Sequence, residues 1–265
     1  LNDRLLINNL RYQDDTMLTI QSGGAVIVTD TFDWVTSIGG PLTVENDALF
    51  VVNSPFIIPV GSTLEVQDAT LELGDDFINN GTFTSTTSTV ILTDDSTLGG
   101  SGFSFYNLTI NAGAAIMLDS DIAVNNNLVN NGTLTGATHK VTFTSGTAAV
   151  TGSGTNSFHD LSIQAGAVVD LSGVEPVGIS VSGTLLIDGV LSCGGANAIT
   201  ITGVWLNNNG PGGFLESTSV VEFGGITPTL PNVAETFHDI TISSLQDAVA
   251  LADYTVSGTW RSDTS

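Results

Sequence analysis

Short segments in which apolar and polar residues alternate one by one run along the whole chain, such as Leu-Thr-Ile at 18–20 and Val-Thr-Phe at 141–143. This period of two predicts short β-strands, and the Gly, Asn, Asp and Ser residues that follow the segments predict tight turns. No long stretch combines helical periodicity with capping residues. We therefore expect a nearly all-β protein.

One family of segments repeats at a long interval. The segment 77–92 aligns without a gap on 128–143, which begins 51 residues later, and looser copies stand at 185–201 and 206–223. Recurrence at a regular spacing is typical of proteins that stack one structural unit on the next.

A second family begins with Phe, a spacer and Asn or Asp, followed by an alternating apolar pair. Its copies start at Phe105, Phe158 and Phe237, so they are 53 and 79 residues apart. The surplus of 26 residues in the second interval corresponds to one more coil, which we assign to 202–223. The composite repeat of 51 to 53 residues is predicted to span about two coils or slightly more.

The fold class follows from the short strands and from equivalent positions that recur every 20 to 26 residues. A β-sandwich has longer strands, of about five to six residues, joined as hairpins. The pattern instead predicts a right-handed parallel β-helix, or β-solenoid, of roughly twelve coils. Asn-Asn-Gly at 79–81 and 130–132 suits the corners of such coils, because Asn tolerates left-handed backbone and its side chains can stack.

The repeat pattern also divides the chain. Residues 59–265 carry the solenoid repeats. Residues 1–58 fit less well because Trp34, Pro55 and Pro59 interrupt the pattern, and we interpret them as atypical N-terminal coils or a cap. We expect both parts to be continuous, as one elongated domain.

Charge excludes several functions. The chain has 4 Lys and Arg against 27 Asp and Glu, a formal net charge of −23, so nucleic-acid and anionic-membrane binding are not expected. Membrane insertion is not expected either, because no apolar run approaches the roughly 18 residues of a spanning helix. Cys193 is the only cysteine, which rules out an internal disulfide and indicates a small buried filler.

Histidines are the first candidates for chemistry. His159 and His238 occupy the same place in two copies of Phe-His-Asp, and Tyr106 stands there in the third copy. A residue set by repeat position is better explained by architecture than by catalysis, and His139 is interpreted as an isolated polar turn residue. The residue after His159, His238 or Tyr106 in each copy is predicted to form hydrogen bonds at a corner. These residues are Asp160, Asp239 and Asn107.

Enzymes that act on long glycans are the main catalytic alternative for a parallel β-helix. A polysaccharide lyase needs clustered cations, but the basic residues are widely separated. They are Arg4, Arg11, Lys140 and Arg261. A hydrolase needs paired carboxylates, and Asp75-Asp76 and Asp94-Asp95 lie about one coil apart, so residue type leaves a hydrolase open. We predict no catalytic residues, no enzyme activity and no cofactor.

Three further features are interpreted as by-products of turns and strands. Acidic pairs such as Asp14-Asp15 indicate a solvated surface. Bound Ca²⁺ is possible but unassigned, because no EF-hand or calcium-binding β-roll motif is present. The Thr-rich segment 82–89 raises an ice-binding alternative, but its Thr-x-Thr spacing is kept at 133–135 and lost at 190–192. Sequons begin at three turn positions: Asn80, Asn107 and Asn131.

The order of the motifs within the repeats resembles that of a known group of proteins. Asn-Asn-Gly-Thr-Leu/Phe-Thr, a polar loop, Val-x-Phe, Gly-Ser-Gly and Phe-x-Asn/Asp-Leu-x-Ile follow one another over about residues 60 to 260. This succession resembles the solenoid repeats of large secreted, adhesin-like surface proteins of Bacteroidota. The resemblance implies an extracellular location at a bacterial cell surface.

The last repeat suggests how the chain is used. Residues 256–260 match 181–185, but the later copy stops at Ser265 without the following strand. We therefore expect a structural or adhesive module of a surface fibre or filament, which associates end to end or continues in a longer chain. Surface glycans are a further expected partner, and the alternatives are a glycan-binding or glycan-hydrolysing β-helix and, less favoured, an ice-binding solenoid.

Overall fold

The computed structural model describes residues 4–13, 17–35, 41–172, 178–225, 230–243 and 252–262. These residues form short parallel strands wound into a β-solenoid, which confirms the predicted all-β fold class. The two longest sheets have eleven strands each, so the solenoid has about eleven turns, close to the roughly twelve expected. Within these ranges the only helix is a single 3₁₀ turn, Gly210–Gly212, and no helix has the length and apolar composition needed to cross a membrane.

Three faces surround the interior. The first face is a sheet of eleven strands: β1 (Arg4–Gln13), β3 (Ala25–Val35), β5 (Leu49–Val52), β8 (Thr70–Leu73), β11 (Thr89–Leu92), β14 (Asn107–Ile110), β17 (Leu128–Asn130), β20 (Gly146–Thr151), β23 (Ala167–Asp170), β26 (Val190–Ser192) and β29 (Phe214–Leu215). The second face is also a sheet of eleven strands: β6 (Phe56–Ile58), β9 (Phe77–Asn79), β12 (Ser96–Gly100), β15 (Ala115–Leu118), β18 (Thr133–Thr135), β21 (Thr155–Phe158), β24 (Ile179–Val181), β27 (Ala198–Ile201), β30 (Val220–Phe223), β32 (Asp239–Ile242) and β34 (Trp260–Ser262).

The third face consists of two sheets that meet where β10 contacts β13. The first has four strands: β2 (Leu18–Ile20), β4 (Leu42–Val44), β7 (Thr63–Gln67) and β10 (Thr82–Thr86). The second has six strands: β13 (Phe103–Phe105), β16 (Ile122–Val124), β19 (Lys140–Phe143), β22 (Asp160–Ile163), β25 (Thr184–Ile187) and β28 (Val204–Asn207). Two last strands, β31 (Glu235–Phe237) and β33 (Tyr254–Val256), pair with each other, and β31 contacts β29.

The core is built from columns of side chains that repeat once per turn. Alternate strand residues point inward, and the parallel register places each inward residue directly on its counterpart in the next turn. One column on the first face has members that are at most 1% exposed: Phe50, Leu71, Val90, Leu108, Leu128 and Val150. Burial of each such side chain stabilises the fold by about 1.5–3 kcal/mol.

The described strands before residue 58 belong to the same sheets. The long strand β3 pairs with β5 over Ala25–Val28, and its second half turns toward the second face. There Phe32 packs against Phe56 with ring centroids 5.0 Å apart, and Trp34 is only 7% exposed. Trp34, which interrupts the repeat pattern, is therefore a core residue of the first turns.

The composite repeat does not contain a whole number of turns. The Asn-Asn-Gly copies begin at the end of β9 on the second face and at the end of β17 on the first face. β17 is the eighth strand after β9, and a turn uses three strands. The repeat therefore advances by two and two-thirds turns, where the sequence predicted about two turns or slightly more. The third copy ends β28 on the third face, after an interval that contains one additional turn. Equivalent motifs therefore lie at three different corners.

Glycines at the corners allow the backbone of one turn to lie close to that of the preceding turn. A substitution at such a glycine tests this role. A Cβ atom on Gly132 would clash with the carbonyl oxygen of Ala114 and lie 2.6 Å from that of Asn111. We expect Gly132→Ala to lower the free energy of unfolding by about 2–4 kcal/mol, measured as a shift in the chemical unfolding midpoint. Gly195→Ala is the matched control, because nothing lies within 4 Å of its Cβ position. Equal midpoints for both variants would contradict the steric account.

Candidate functional site

The Phe-His-Asp copies form equivalent corners. The Oδ1 atom of Asp160 accepts a hydrogen bond from the backbone N–H of Thr184, one turn later, at 2.6 Å. Asp239 Oδ1 accepts in the same way from the N–H of Thr259 at 2.5 Å. In the third copy the Asn107 side chain accepts from backbone N–H as well, at 3.3 Å. These residues stand as corner hydrogen-bonders, and the pKa of the Asp239 carboxyl is lowered, mainly by the bond from Thr259.

The histidines of these corners contact serines in the next turn. Nδ1 of His159 lies 3.2 Å from Oγ of Ser182, and Nδ1 of His238 lies 3.3 Å from Oγ of Ser257. Serine, histidine and aspartate are the residue types of a nucleophilic triad. In a triad, however, the serine bonds Nε2 of the ring and the carboxylate holds Nδ1. Here the serine faces Nδ1 and Asp160 binds backbone, so the geometry differs from that of a triad.

The predicted carboxylate pairs stack in adjacent turns at the corner between the first and second faces. Asp76 Oδ1 accepts from the N–H of Thr97 at 2.7 Å, and Asp95 Oδ1 accepts from the N–H of Ala115 at 2.8 Å. Asp75 and Asp94 each accept from the N–H of the next residue. These carboxyl groups therefore face backbone N–H groups, whereas a hydrolase needs two carboxyl groups that face each other across the substrate.

Asp75, Asp76, Asp94 and Asp95 do not form a metal-binding cluster. Throughout the described ranges, no three His, Cys, Asp or Glu side chains come together in a group suited to a metal ion. Asp14-Asp15, the third acidic pair, lies outside the described residues. No residue is therefore assigned to Ca²⁺ binding in the described ranges.

His139 makes contacts that sequence reasoning missed. Its Nδ1 lies 3.6 Å from Asp121 Oδ1 and its Nε2 lies 4.0 Å from Asp119 Oδ1, both in the preceding turn. The N–H of Lys140 donates to the same Asp121 oxygen at 2.9 Å. The sequence contained a signal for these contacts, because His139 follows Asp121 and Asp119 by 18 and 20 residues, which is about one coil.

The basic residues stay apart in the folded chain. Arg11 forms an ion pair with Asp33, at 3.5 Å and with both side chains more than half exposed. Lys140 lies on β19 in the middle of the rod, and Arg261 lies on the last described strand. This spacing does not provide the clustered cations that a lyase needs.

Buried asparagines line the interior at the corners. Asn130 is fully buried, and its Nδ2 donates to Oδ1 of Asn156 in the next turn at 3.0 Å and to the carbonyl of Thr155 at 2.8 Å. Asn79, 1% exposed, donates to the carbonyl of Ser101 at 2.5 Å. Each amide satisfies polar groups that strand ladders do not reach, so these residues fix the corners from inside.

The most unusual group of the interior is the carboxyl of Glu235. Glu235 is 3% exposed, its Oε1 accepts from Nδ2 of Asn207 at 2.5 Å, and its Oε2 has no hydrogen-bond partner among the described residues. Burial raises its pKa to about 7, the bond from Asn207 opposes this shift, and the charge of Glu216 adds to it. The sequence signal was the alternation in Glu-Thr-Phe, which places Glu235 inward with Phe237.

Cys193 is also buried. It has no exposed surface, and burial raises the pKa of its thiol to about 11. A thiol in this state is protonated at neutral pH and inaccessible, which agrees with its interpretation as a filler.

Three open depressions lie on the surface of the described part of the chain. Two lie at opposite ends of the rod, one of about 340 Å³ beside Leu5 and one of about 140 Å³ beside Asp239 and Arg261. The third, of about 240 Å³, lies on the second face and is lined by small residues such as Thr155 and Ser180. Since none of the three brings carboxylates together, they do not support glycan hydrolysis.

The corner role of the Asp residues can be tested at position 160. Asp160→Ala removes the acceptor of the Thr184 N–H, and we expect the free energy of unfolding to fall by about 1–2 kcal/mol. Asp160→Asn keeps an Oδ1 acceptor, as Asn107 does in the equivalent copy, and should unfold near the wild-type midpoint in urea. If both variants are equally unstable, the hydrogen bond is not what the corner requires.

Glu235 predicts a specific pH dependence. Its folded pKa, about 7, is above its ordinary value of 4.5, so its contribution to stability is complete below about pH 4.5 and is lost as the pH rises through about 7. Glu235→Gln resembles the protonated form. We expect it to match the wild type near pH 4.5 and to be more stable by on the order of 1–3 kcal/mol near pH 8. Denaturant unfolding at both pH values measures this difference, and a difference independent of pH would contradict the assignment.

Comparison with known proteins gives no identification. No protein-family model matches the sequence. No curated protein matches it significantly. No solved structure matches it significantly either.

Proposed function

We propose that the chain is an extracellular structural or adhesive β-solenoid module of a bacterial cell-surface fibre or filament. The observation that carries this proposal is the use of its chemically versatile side chains: Asp76, Asp95, Asp160 and Asp239 all bond backbone N–H groups of the next turn. These four carboxylates therefore hold one turn of the rod to the next instead of facing one another. A regular rod is a suitable element for a fibre.

The ends of the rod support stacking on a further module. Leu5 belongs to the inward column that continues through Val26 and Phe50, yet it is 55% exposed because no strand covers it in the described part of the chain. At the other end Trp260 continues the column of Ile240 and is 50% exposed. A second copy, or a further part of the same polypeptide, would cover both columns and extend the backbone ladders.

The second face supports adhesion to an uncharged partner. From β12 to β27 no strand residue on this face is charged, although the chain carries a net charge of −23. Its outward positions are mostly hydroxyl-bearing or small: Thr97, Ala115, Met117, Thr133, Thr135, Thr155, Ser157, Ser180, Ala198 and Thr200. This composition favours a neutral surface glycan as a second candidate. The change from Thr133 and Thr135 to Ala198 and Thr200 breaks the Thr array that ice binding needs.

End-to-end association is testable with substitutions at the exposed columns. We expect the wild-type protein to form particles that lengthen with concentration in negative-stain electron microscopy, and Leu5→Asp or Trp260→Asp to shorten them, because a charge would be buried in the contact. Met117→Asp is the matched control, since Met117 is 51% exposed but lies on the long side of the rod.

Two results would contradict end-to-end association. The first is a single particle length at all concentrations. The second is an equal effect of Met117→Asp and of the two end variants, which would indicate general charge repulsion. Melting curves for all three variants establish that the compared proteins are folded.

A further inference from the structure

Three Asn-Gly dipeptides occur in the corner motifs: Asn80-Gly81, Asn131-Gly132 and Asn209-Gly210. In such a dipeptide the backbone nitrogen of Gly can attack Cγ of the Asn side chain, because Gly has no side chain to obstruct it. The new N–Cγ bond closes a succinimide, and the Cγ–Nδ2 bond breaks to release ammonia, which takes up the proton of the Gly N–H. Water then adds to one ring carbonyl and opens the ring to aspartate or isoaspartate.

The fold itself requires glycine in the first two dipeptides. A Cβ atom on Gly81 would overlap the carbonyl oxygens of Pro59 and Ser62, and one on Gly132 would overlap that of Ala114. The chemically sensitive sequence therefore cannot be avoided by replacing these glycines. Gly210 is different, because nothing lies within 4 Å of its Cβ position, although its φ of +73° still favours glycine.

In the first two copies the attacking nitrogen is held by the asparagine that precedes the dipeptide. The N–H of Gly132 donates to Oδ1 of Asn130 at 3.0 Å, and the N–H of Gly81 donates to Oδ1 of Asn79 at 3.2 Å. Both form Asx turns. Asn130 and Asn79 are buried, and Nδ2 of each also bonds the next turn, so these acceptors are rigidly placed. The attack requires this nitrogen to lose its proton and to move toward Cγ of the neighbouring side chain, and a hydrogen bond to a fixed acceptor opposes both steps.

The third Asn-Gly dipeptide is preceded by two asparagines instead of one, Asn207 and Asn208. The Asx turn therefore holds a different backbone nitrogen. The buried Asn207 accepts from the N–H of Asn209 at 2.9 Å, so its Asx turn holds the nitrogen that follows Asn208. The equivalent bond therefore does not hold the nitrogen of Gly210. Asn209 is exposed, and its Nδ2 donates to the carbonyl of Gly189 in the preceding turn at 2.7 Å.

We propose that Asn209 is a site of spontaneous deamidation, and that Asn79 and Asn130 protect Asn80 and Asn131 from the same reaction. The reaction at Asn209 removes the amide that bonds Gly189. It also adds a carboxylate next to Asn208, whose side chain bonds Asp188 at 2.8 Å. Deamidation therefore weakens the contact between two turns and increases the negative charge there.

Peptide mapping by mass spectrometry tests the proposal. The purified chain is incubated in mildly alkaline buffer prepared with heavy-oxygen water, and each Asn-Gly peptide is followed for replacement of its amide by a labelled carboxylate. We expect the Asn209 peptide to react about tenfold faster than those of Asn80 and Asn131, the factor that corresponds to one hydrogen bond of about 1.4 kcal/mol. Similar rates at the three sites would overturn the proposal.

A variant isolates the protecting bond. Asn130→Ala removes the acceptor of the Gly132 N–H and is expected to accelerate the reaction at Asn131 about tenfold while Asn80 stays unchanged. Asn156→Ala is the control, because it disturbs the same buried ladder but leaves the Asx turn of Asn130 in place. An equal acceleration by both variants, or none by Asn130→Ala in a protein that melts cooperatively, would assign the slow reaction to local rigidity and overturn the protective role.

Discussion

Backbone polar groups at the corners of a stacked chain are the constraint on which this structure depends. Along each face the parallel ladders pair N–H with C=O, but at a corner the backbone changes direction and the ladder is interrupted. The chain fills these gaps with side-chain oxygens from the preceding turn, as for Thr97, Ala115 and Thr184. Short polar side chains with an accepting oxygen are therefore required at these corners, which gives many of the Asp and Asn residues of this protein a structural role.

The strands and the fold class could be predicted because they rest on local signals. The period of two identifies inward positions, and turn residues divide the strands. The equivalence of His159, His238 and Tyr106 also pointed correctly to a corner. The sequence did not predict on which face each copy of the repeat begins. A spacing of 51 residues does not reveal that eight strands are passed, since corner lengths vary between the turns.

Contacts between turns explain the rest of what sequence reasoning missed. His139 meets Asp119 and Asp121 only because one coil happens to place them at the same corner. Glu235 is inward by strand alternation, but its partner Asn207 comes from the preceding turn across a variable loop. The identity of such a partner depends on the length of every loop between them. The partners of buried polar groups are therefore harder to predict than columns of Val, Ile and Leu. In such a column, any apolar side chain of the neighbouring turn can pack.

The fractional advance of the repeat has a consequence for how such a chain can change length. Insertion of one complete turn, such as the strands of 204–223, adds one strand to every face and leaves all later residues on the faces they already occupied. Duplication of the composite unit instead rotates everything that follows by two-thirds of a circle. Repeated duplication places the same motif at each of the three corners in turn, so no kind of corner is confined to one side of the rod. A long rod built in this way has no soft side along which it bends first.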